Sequence, residues 1–400
     1  MLLTTLEVEM HFPSVEDGEL VARLRLGTLA LTVCLVGCSS DPGASDDASI
    51  LDSGGIPDAR LVDAAADAEP PWVLYANNPV LVDDPGSAWM NIIADPWVMK
   101  DGSVYKMWFA ARVDTKDDTG ETEIGYATSS DGISWSIHPT PVVQAGGTGQ
   151  WDDSSAETPT VVKRPDGVYE MWYSGFELLG DYGGADAAEF YRHLFKIGHA
   201  TSPDGISWTK DPANPVLDID LVGQIGPDWL AVADPSVTYE AGTYCMYYTG
   251  VDSVVGKLQL HISLATSTDG SAWTRHPSNP VLSLGPPGSW DSTLVAQPGV
   301  FKVGSGYVMV YAGNDAPGAG DTVAPEVGSL GIATSMDGIV WQRAMEPMIE
   351  KQPGTWNELA AWGATGLFAN DEIKVWFGGA RLTDRIETAF GLATQQHSMP

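Results

Sequence analysis

The sequence predicts an all-β chain, a five-bladed β-propeller of four-stranded antiparallel blades whose ring is closed by an N-terminal strand. Three observations carry this. The pattern SxDGxxW occurs at Ser129–Trp135, Ser202–Trp208, Ser267–Trp273 and Ser335–Trp341, with its aspartates 73, 65 and 68 residues apart. Recurrence at that length marks repeated supersecondary units. Each copy is preceded by an aromatic run (YKMWFA, YEMWYSG, YCMYYTG, YVMVYAG) and a second β-like run (IGYAT, IGHAT, ISLAT, LGIAT). A fifth pair, IKVWFGG and FGLAT, lacks the turn and the strand after it, and Trp72, followed by Pro79, Val80 and Leu81, begins a strand of the missing kind.

Taken from the N-terminus, Arg23 and Arg25 precede an apolar run from Leu26 that ends in Leu35, Val36, Gly37 and Cys38. This resembles a bacterial lipoprotein signal with its lipobox. The resemblance implies cleavage before Cys38 and lipidation of its sulfur. The run is shorter than the about 20 residues of a spanning helix, so lipid rather than peptide is the expected membrane hold. Glu7, Glu9, Glu16, Asp17 and Glu19 stand where a signal needs a basic start, which points to Val21 as the true first residue. Residues 1–37 are therefore read as signal. Residues 38–71, rich in Ser, Asp, Gly and Ala, are a flexible acidic tether. Residues 72–400 form the propeller domain. Ser39 after the lipidated Cys favours display on the outer membrane or cell surface. With Cys38 lipidated, Cys245 has no partner for a disulfide, and its strand-like surroundings predict a packed, inert thiol.

Gly (44), Pro (27) and Trp (15) suit short strands and tight turns, and long helices are not expected. The net charge of −33 excludes nucleic acid and anionic lipid as partners. Each blade holds an inner strand beginning near a Pro, the aromatic strand, the ATS strand, and an outer strand starting at the motif Trp. The Asp-Gly of each motif is turn chemistry, with Gly supplying a positive φ. Closure by the strand after Trp72 removes exposed sheet edges.

The long insertions Arg112–Glu123, Phe176–Lys196, Asn314–Ser329 and Arg381–Thr388 fall on one face, where inner strands start. Long loops at one end of a rigid scaffold commonly build a site. At those strand starts stand Asp95 before Pro96, Glu157 two residues before Pro159, and Asp234 before Pro235, with Gln297 and Trp362 or Gly363 as the equivalents in the last two blades. Three converging carboxyls split their pKa values, and glycosidic cleavage needs such a division between proton donor and base or nucleophile. Around them, Trp89, Trp151, Trp290 and Trp362 are candidates for sugar stacking, packing between blades being the alternative. Arg112 and Arg381, which end equivalent strands on the same face, are candidate donors to sugar hydroxyls or a carboxylate, and Gln297 is a further candidate substrate contact. Zinc-protease, serine-esterase, P-loop and dinucleotide motifs are absent from the sequence, which disfavours those chemistries.

The repeat pattern and the DP and ExP strand starts, over residues 72–397, resemble the five-bladed glycoside hydrolases of families 43, 62, 32 and 68. The resemblance implies a hydrolase of arabinose-, xylose- or fructose-containing glycans. No obligatory cofactor or catalytic metal is expected, and a structural calcium is left open without being indicated. Asp95 becomes the base or nucleophile, Glu157 the general acid, and Asp234 the orienting acid. In those families the acids run Asp, Asp, Glu, and the order Asp, Glu, Asp here departs from that. An oligo- or polysaccharide partner and a monomer are expected. The alternative reading is an inactive propeller that binds glycan or protein, and a phosphorylase on the same scaffold is a further one.

Overall fold

The computed structural model describes residues 71–113, 121–176, 195–219, 226–254, 257–315 and 328–397. The signal, Cys38, the tether, and most of three of the four insertions lie outside the described residues.

Among the described residues there is no α-helix. One order of antiparallel strands recurs. The first repeat runs Ile92–Asp101, Val104–Arg112, Thr122–Ser129 and Ser136–Ile137. The second runs Ser155–Lys163, Tyr169–Phe176, Lys196–Ser202 and Thr209–Lys210. A single parallel pairing of Thr122 with Ser155 joins these two into one eight-stranded sheet. The third runs Ala231–Glu240, Thr243–Val254, Lys257–Ser267 and Thr274–Arg275. The fourth runs Leu294–Val303, Gly306–Asn314, Ser329–Ser335 and Gln342–Arg343, with Ile349–Glu350 added at its edge. The fifth has Ala360–Ala369, Glu372–Leu382 and Ile386–Gln396. Its outer position is taken from the other end of the chain: Val73 pairs with Thr394 and Leu81 with Phe390. The same register pairs Ser136 with Thr128 and Thr209 with Thr201 in the first two repeats, so Trp72 stands in the place of the motif Trp. Inner strands touch in cyclic order, first to second and so on to the fifth, which touches the first again.

The sequence explains this packing. A strand with sheets on both faces reads as a continuous apolar run rather than an alternating one, and Met107, Trp108 and Phe109 are all fully buried. The SxDG turns lock each repeat to its neighbour. Ser129 Oγ donates to Asp131, whose Oδ1 accepts the N–H groups of Ile133 and Ser134, while Gly132 takes φ 77°. Those donors hold the Asp131 carboxyl down at about 2. The folded turn presents the glycine carbonyl to the aromatic strand of the preceding repeat. Trp108 Nε1 donates to Gly205 O at 2.9 Å, Trp172 Nε1 to Gly270 O at 2.8 Å, Tyr247 Oη to Gly338 O at 2.9 Å, and Trp376 Nε1 to Gly132 O at 2.8 Å. The fifth repeat has no such turn, and the residue that would have met it is Val310, which has no side-chain donor. Cys245 is half-buried, with burial and then Glu240 raising its thiol, as a packed thiol should be.

Candidate active site

Every inner strand opens with a β-bulge. The pairing slips between Ala94 and Trp97, Glu157 and Thr160, Ala233 and Ser236, Ala296 and Gly299, and Trp362 and Ala364. At each slip one residue adopts a left-handed backbone: Asp95 (φ 53°), Thr158 (48°), Asp234 (53°), Gln297 (55°) and Gly363 (44°). Glycine takes that conformation freely, whereas for the other four it costs on the order of 1–3 kcal/mol each, a strain that clusters at functional sites. The following prolines fit because a bulge residue has no ladder hydrogen bond to donate.

These five residues, with Pro96, Pro159, Pro235 and Pro298, line one small cavity of about 30 Å³. That is room for a water or two and not for a sugar ring.

The three predicted acids are brought together electrostatically, though not in the expected alignment. The counterpart of Asp95 and Asp234 in the second repeat is Thr158, and Glu157 stands one position earlier, level with Ala94, Ala233, Ala296 and Trp362. A one-residue step in a strand changes the face of the side chain, so Glu157 does not line the cavity. It is fully buried, and neither carboxyl oxygen has a hydrogen-bond partner. Burial, then the Asp95 and Asp234 carboxyls, push Glu157 well above the usual carboxylate range, against a smaller pull from the Arg112 charge. Burial and then Asp234 raise Asp95 likewise, opposed by the Gln297 amide, which donates to Oδ1 at 3.1 Å. Burial lifts Asp234 to about 6, opposed by Thr249. Desolvation disfavours the charged form and like charges add to it, so these acids give up their protons at higher pH than separate, solvated carboxyls would.

Several other candidates are corrected. Trp89, Trp151 and Trp290, all half-buried, pack against glycines of their own repeat, the alternative of packing that the sequence also allowed. A Cβ on Gly125 would come 2.9 Å from Trp89, on Gly198 2.6 Å from Trp151, and on Gly331 2.1 Å from Trp290. The rings also meet Phe109, Tyr173 and Tyr311. Gly331→Ala is accordingly expected to lower stability by about 1–3 kcal/mol, read as a lower denaturation midpoint; an unchanged midpoint would mean that Trp290 is not wedged there. Acids beside two of these tryptophans are structural too: Asp152 accepts from Lys210 and Tyr173, and Asp291 from Arg343 and Tyr311.

Trp362 is 1% exposed among Ala94, Ala110, Ala360 and Ala380, which removes it from any substrate surface. Arg381 is not the counterpart of Arg112. Ile92 pairs with Arg112, while the corresponding Ala360 pairs with Ala380, so Arg381 is one residue further on, where it is exposed and bound to Glu387 at 2.6 Å. Arg112 does act on the acids, through Glu157.

The residues that sequence reasoning missed are Thr158 and the hydroxyls that hold the bulges. Thr158 Oγ1 donates to Ser174 Oγ at 2.5 Å, the Asp234 N–H donates to Ser174 Oγ at 2.9 Å, and the Gln297 N–H to Thr249 Oγ1 at 2.9 Å. The signal was the Ser or Thr in WYSG and YYTG where other repeats carry Ala or Gly.

No family model matches the chain. Two uncharacterized proteins of Mycobacterium tuberculosis, from strains CDC 1551 / Oshkosh and ATCC 25618 / H37Rv, are each 29% identical over 192 residues, covering 47% of this chain and 55% of their own. The chain thus spans about half the length of the curated relatives it matches. Among solved structures, a glycosyl hydrolase from Bacteroides ovatus aligns over 81% of this chain and 94% of its own, with TM-score 0.61 and 20% identity. A structure described as showing that the GH130 family of mannoside phosphorylases contains hydrolases of β-1,2 mannosidic linkages in Candida mannan aligns over 81% and 94%, with TM-score 0.60 and 19% identity. A thermostable family-43 glycoside hydrolase aligns over 78% and 91%, with TM-score 0.54 and 17% identity. At these identities the likeness is one of fold: the chain has the propeller-type fold of glycoside hydrolases and of the GH130 family.

Proposed function

We propose that the protein is a five-bladed propeller, closed by its N-terminal strands, that cleaves glycosidic bonds with Asp95, Glu157 and Asp234. The observation that carries this reading is the coupling of three buried carboxyls, drawn from consecutive inner strands, beside one small cavity. Glycosidic cleavage needs one carboxyl that holds a proton and one that gives it up, and this environment separates them. In this reading Glu157 is the proton donor, Asp95 the base or nucleophile, and Asp234 the acid whose charge keeps its neighbours' affinity for protons high. The alternative of an inactive binding propeller leaves the burial of three neighbouring carboxyls unexplained, since burial opposes the ionisation of each.

Phosphorolysis is a second reading, favoured by the fold shared with the GH130 family. It requires a phosphate site, and Arg112 is the basic residue that acts on the acid cluster. The test is sugar release from arabinan, arabinoxylan, xylan, levan, inulin and β-1,2-mannan, each with and without inorganic phosphate. Hydrolysis independent of phosphate supports the first reading, and sugar phosphate formed only with phosphate supports the second. Release from none, by folded protein that binds one of them, would sink both in favour of the binding propeller.

The same proposal displays the domain from residue 72 onward at the cell surface through lipid on Cys38 and the acidic tether. The motif around Cys38 supports it. Cys38→Ala is expected to move the protein from the membrane fraction to the soluble one, and its retention in the membrane would remove the anchor from the proposal.

A further inference from the structure

Gln297 does more than line the cavity. A side-chain amide has two unlike ends, an oxygen that only accepts and an NH₂ that only donates. Gln297 Oε1 accepts the N–H of Gly363 at 3.1 Å, which turns the NH₂ toward Asp95 Oδ1, also at 3.1 Å. The sequence explains why the amide is held this way round. The N–H of the left-handed residue in the third and fourth repeats donates to a hydroxyl on the repeat before it, Ser174 or Thr249. Ser174 pairs with Glu157 and Thr249 with Ala233; the residue at that register ahead of Gly363 is Ala312, opposite Ala296. Alanine has no hydroxyl, and the Gln297 side chain replaces it. Gly363 completes the fit, since a Cβ there would stand 2.4 Å from Asp95 Oδ1.

We infer that Gln297 is the positioning residue for Asp95: its NH₂ keeps Oδ1 free of the proton and leaves Oδ2 as the oxygen that reacts. An NH₂ cannot accept, so a proton on Oδ1 would face another hydrogen and break the contact. Oδ2 has no hydrogen-bond partner, and both side chains are nearly buried. Asp234, from the inner strand of the third repeat, is the other charged group acting on this carboxyl, and Asp95 in turn raises Glu157 of the second repeat, on which Arg112 also acts. The inference deepens the proposed function and rests on its reading of Asp95 as base or nucleophile.

The test uses the full chain labelled with ¹³C at aspartate carboxyls, with the Asp95 signal assigned by its loss in Asp95→Asn. Gln297→Leu removes the donor and is expected to weaken Asp95 as an acid by about tenfold, the scale of one hydrogen bond to a charged group. The Asp95 titration and the acid limb of the kcat profile should both move up by about one pH unit. Gln297→Glu keeps an acceptor for Gly363 but puts an oxygen against Oδ1, and should move the titration further in the same direction. If the Leu variant does not fold, the isosteric Glu variant carries the test alone. An unmoved Asp95 titration in a folded variant overturns the inference. A moved titration with an active Asp95→Asn enzyme would leave Gln297 as the positioning residue and overturn only the catalytic reading of Asp95.

Discussion

Glu157→Gln is expected to cut turnover of the natural glycan by about 10²–10⁴-fold, the usual contribution of a positioned proton donor. Gln preserves the shape of a protonated Glu but has no acidic proton to give. The loss should depend on the leaving group: an aryl glycoside that departs without protonation should lose far less than a sugar alcohol. The alkaline limb of the pH profile, which reports deprotonation of the donor, should disappear with it. Because Glu157 is buried and pushed well above the ordinary carboxylate range, first by burial and then by Asp95 and Asp234, ionising it costs more in the folded protein than in the unfolded chain. The substitution should therefore leave the denaturation midpoint at pH 7 unchanged or higher. An equal loss on both classes of substrate, with the alkaline limb intact, would remove Glu157 from the role of proton donor and leave it as a buried element of the second repeat.

The strand order was legible because turn chemistry is local. SxDG must fold as it does wherever it occurs, since its Ser, Asp and Gly satisfy one another within a few residues. The outer strand supplied by residues after Trp72 was legible for a related reason: its spacing from Trp72 to Leu81 copies that from Trp208 to Leu217. Acid positions were legible through the prolines behind them, but the bulge was not. A bulge places two residues opposite one, so counting back from Pro159 finds Glu157 without revealing that Thr158 holds the equivalent backbone place. The same one-residue ambiguity misplaced Arg381 relative to Arg112. Tryptophans misled for another reason. Trp151 and Trp290 sit in links on the side of the insertions, where sugar-binding aromatics would also sit, and the glycines that receive them are scattered over two other strands, at Gly175, Gly198, Gly313 and Gly331. Packing partners so far apart in sequence carry no local signature. The role of Gln297 was beyond reach for the same reason, since it depends on Asp95 some two hundred residues away and on the missing hydroxyl at Ala312.

Asp234→Asn is expected to stabilise the fold at neutral pH while damaging activity. Asp234 is 5% exposed, and burial lifts its folded-state pKa to about 6 from an ordinary value of 3.8. The sign follows from which state ionises first. Below pH 3.8 the carboxyl is protonated in both folded and unfolded chains and contributes nothing. As pH rises from there toward 6, the unfolded chain releases the proton while the folded chain retains it, so the native state loses stability across that window. Above it the cost is constant, at about 3 kcal/mol for a difference of roughly two pH units. Asn carries no charge in either state and avoids this cost. Its advantage over the wild type should be absent near pH 3.5, grow between pH 4 and 6, and level off above that, as read from urea midpoints at a series of pH values. The same substitution removes the charge that raises Asp95 and Glu157, so the alkaline limb of activity should move down as stability rises. Strain points the same way: four non-glycine residues hold left-handed backbones around one cavity, together with three buried acids. A fold selected for stability alone has no use for either feature, and sites that keep such costs commonly keep them for activity. A stability difference between Asn and Asp that is the same at pH 3.5 and pH 7.5 would mean that Asp234 ionises normally, and would take from the cluster the charge coupling on which the catalytic reading depends.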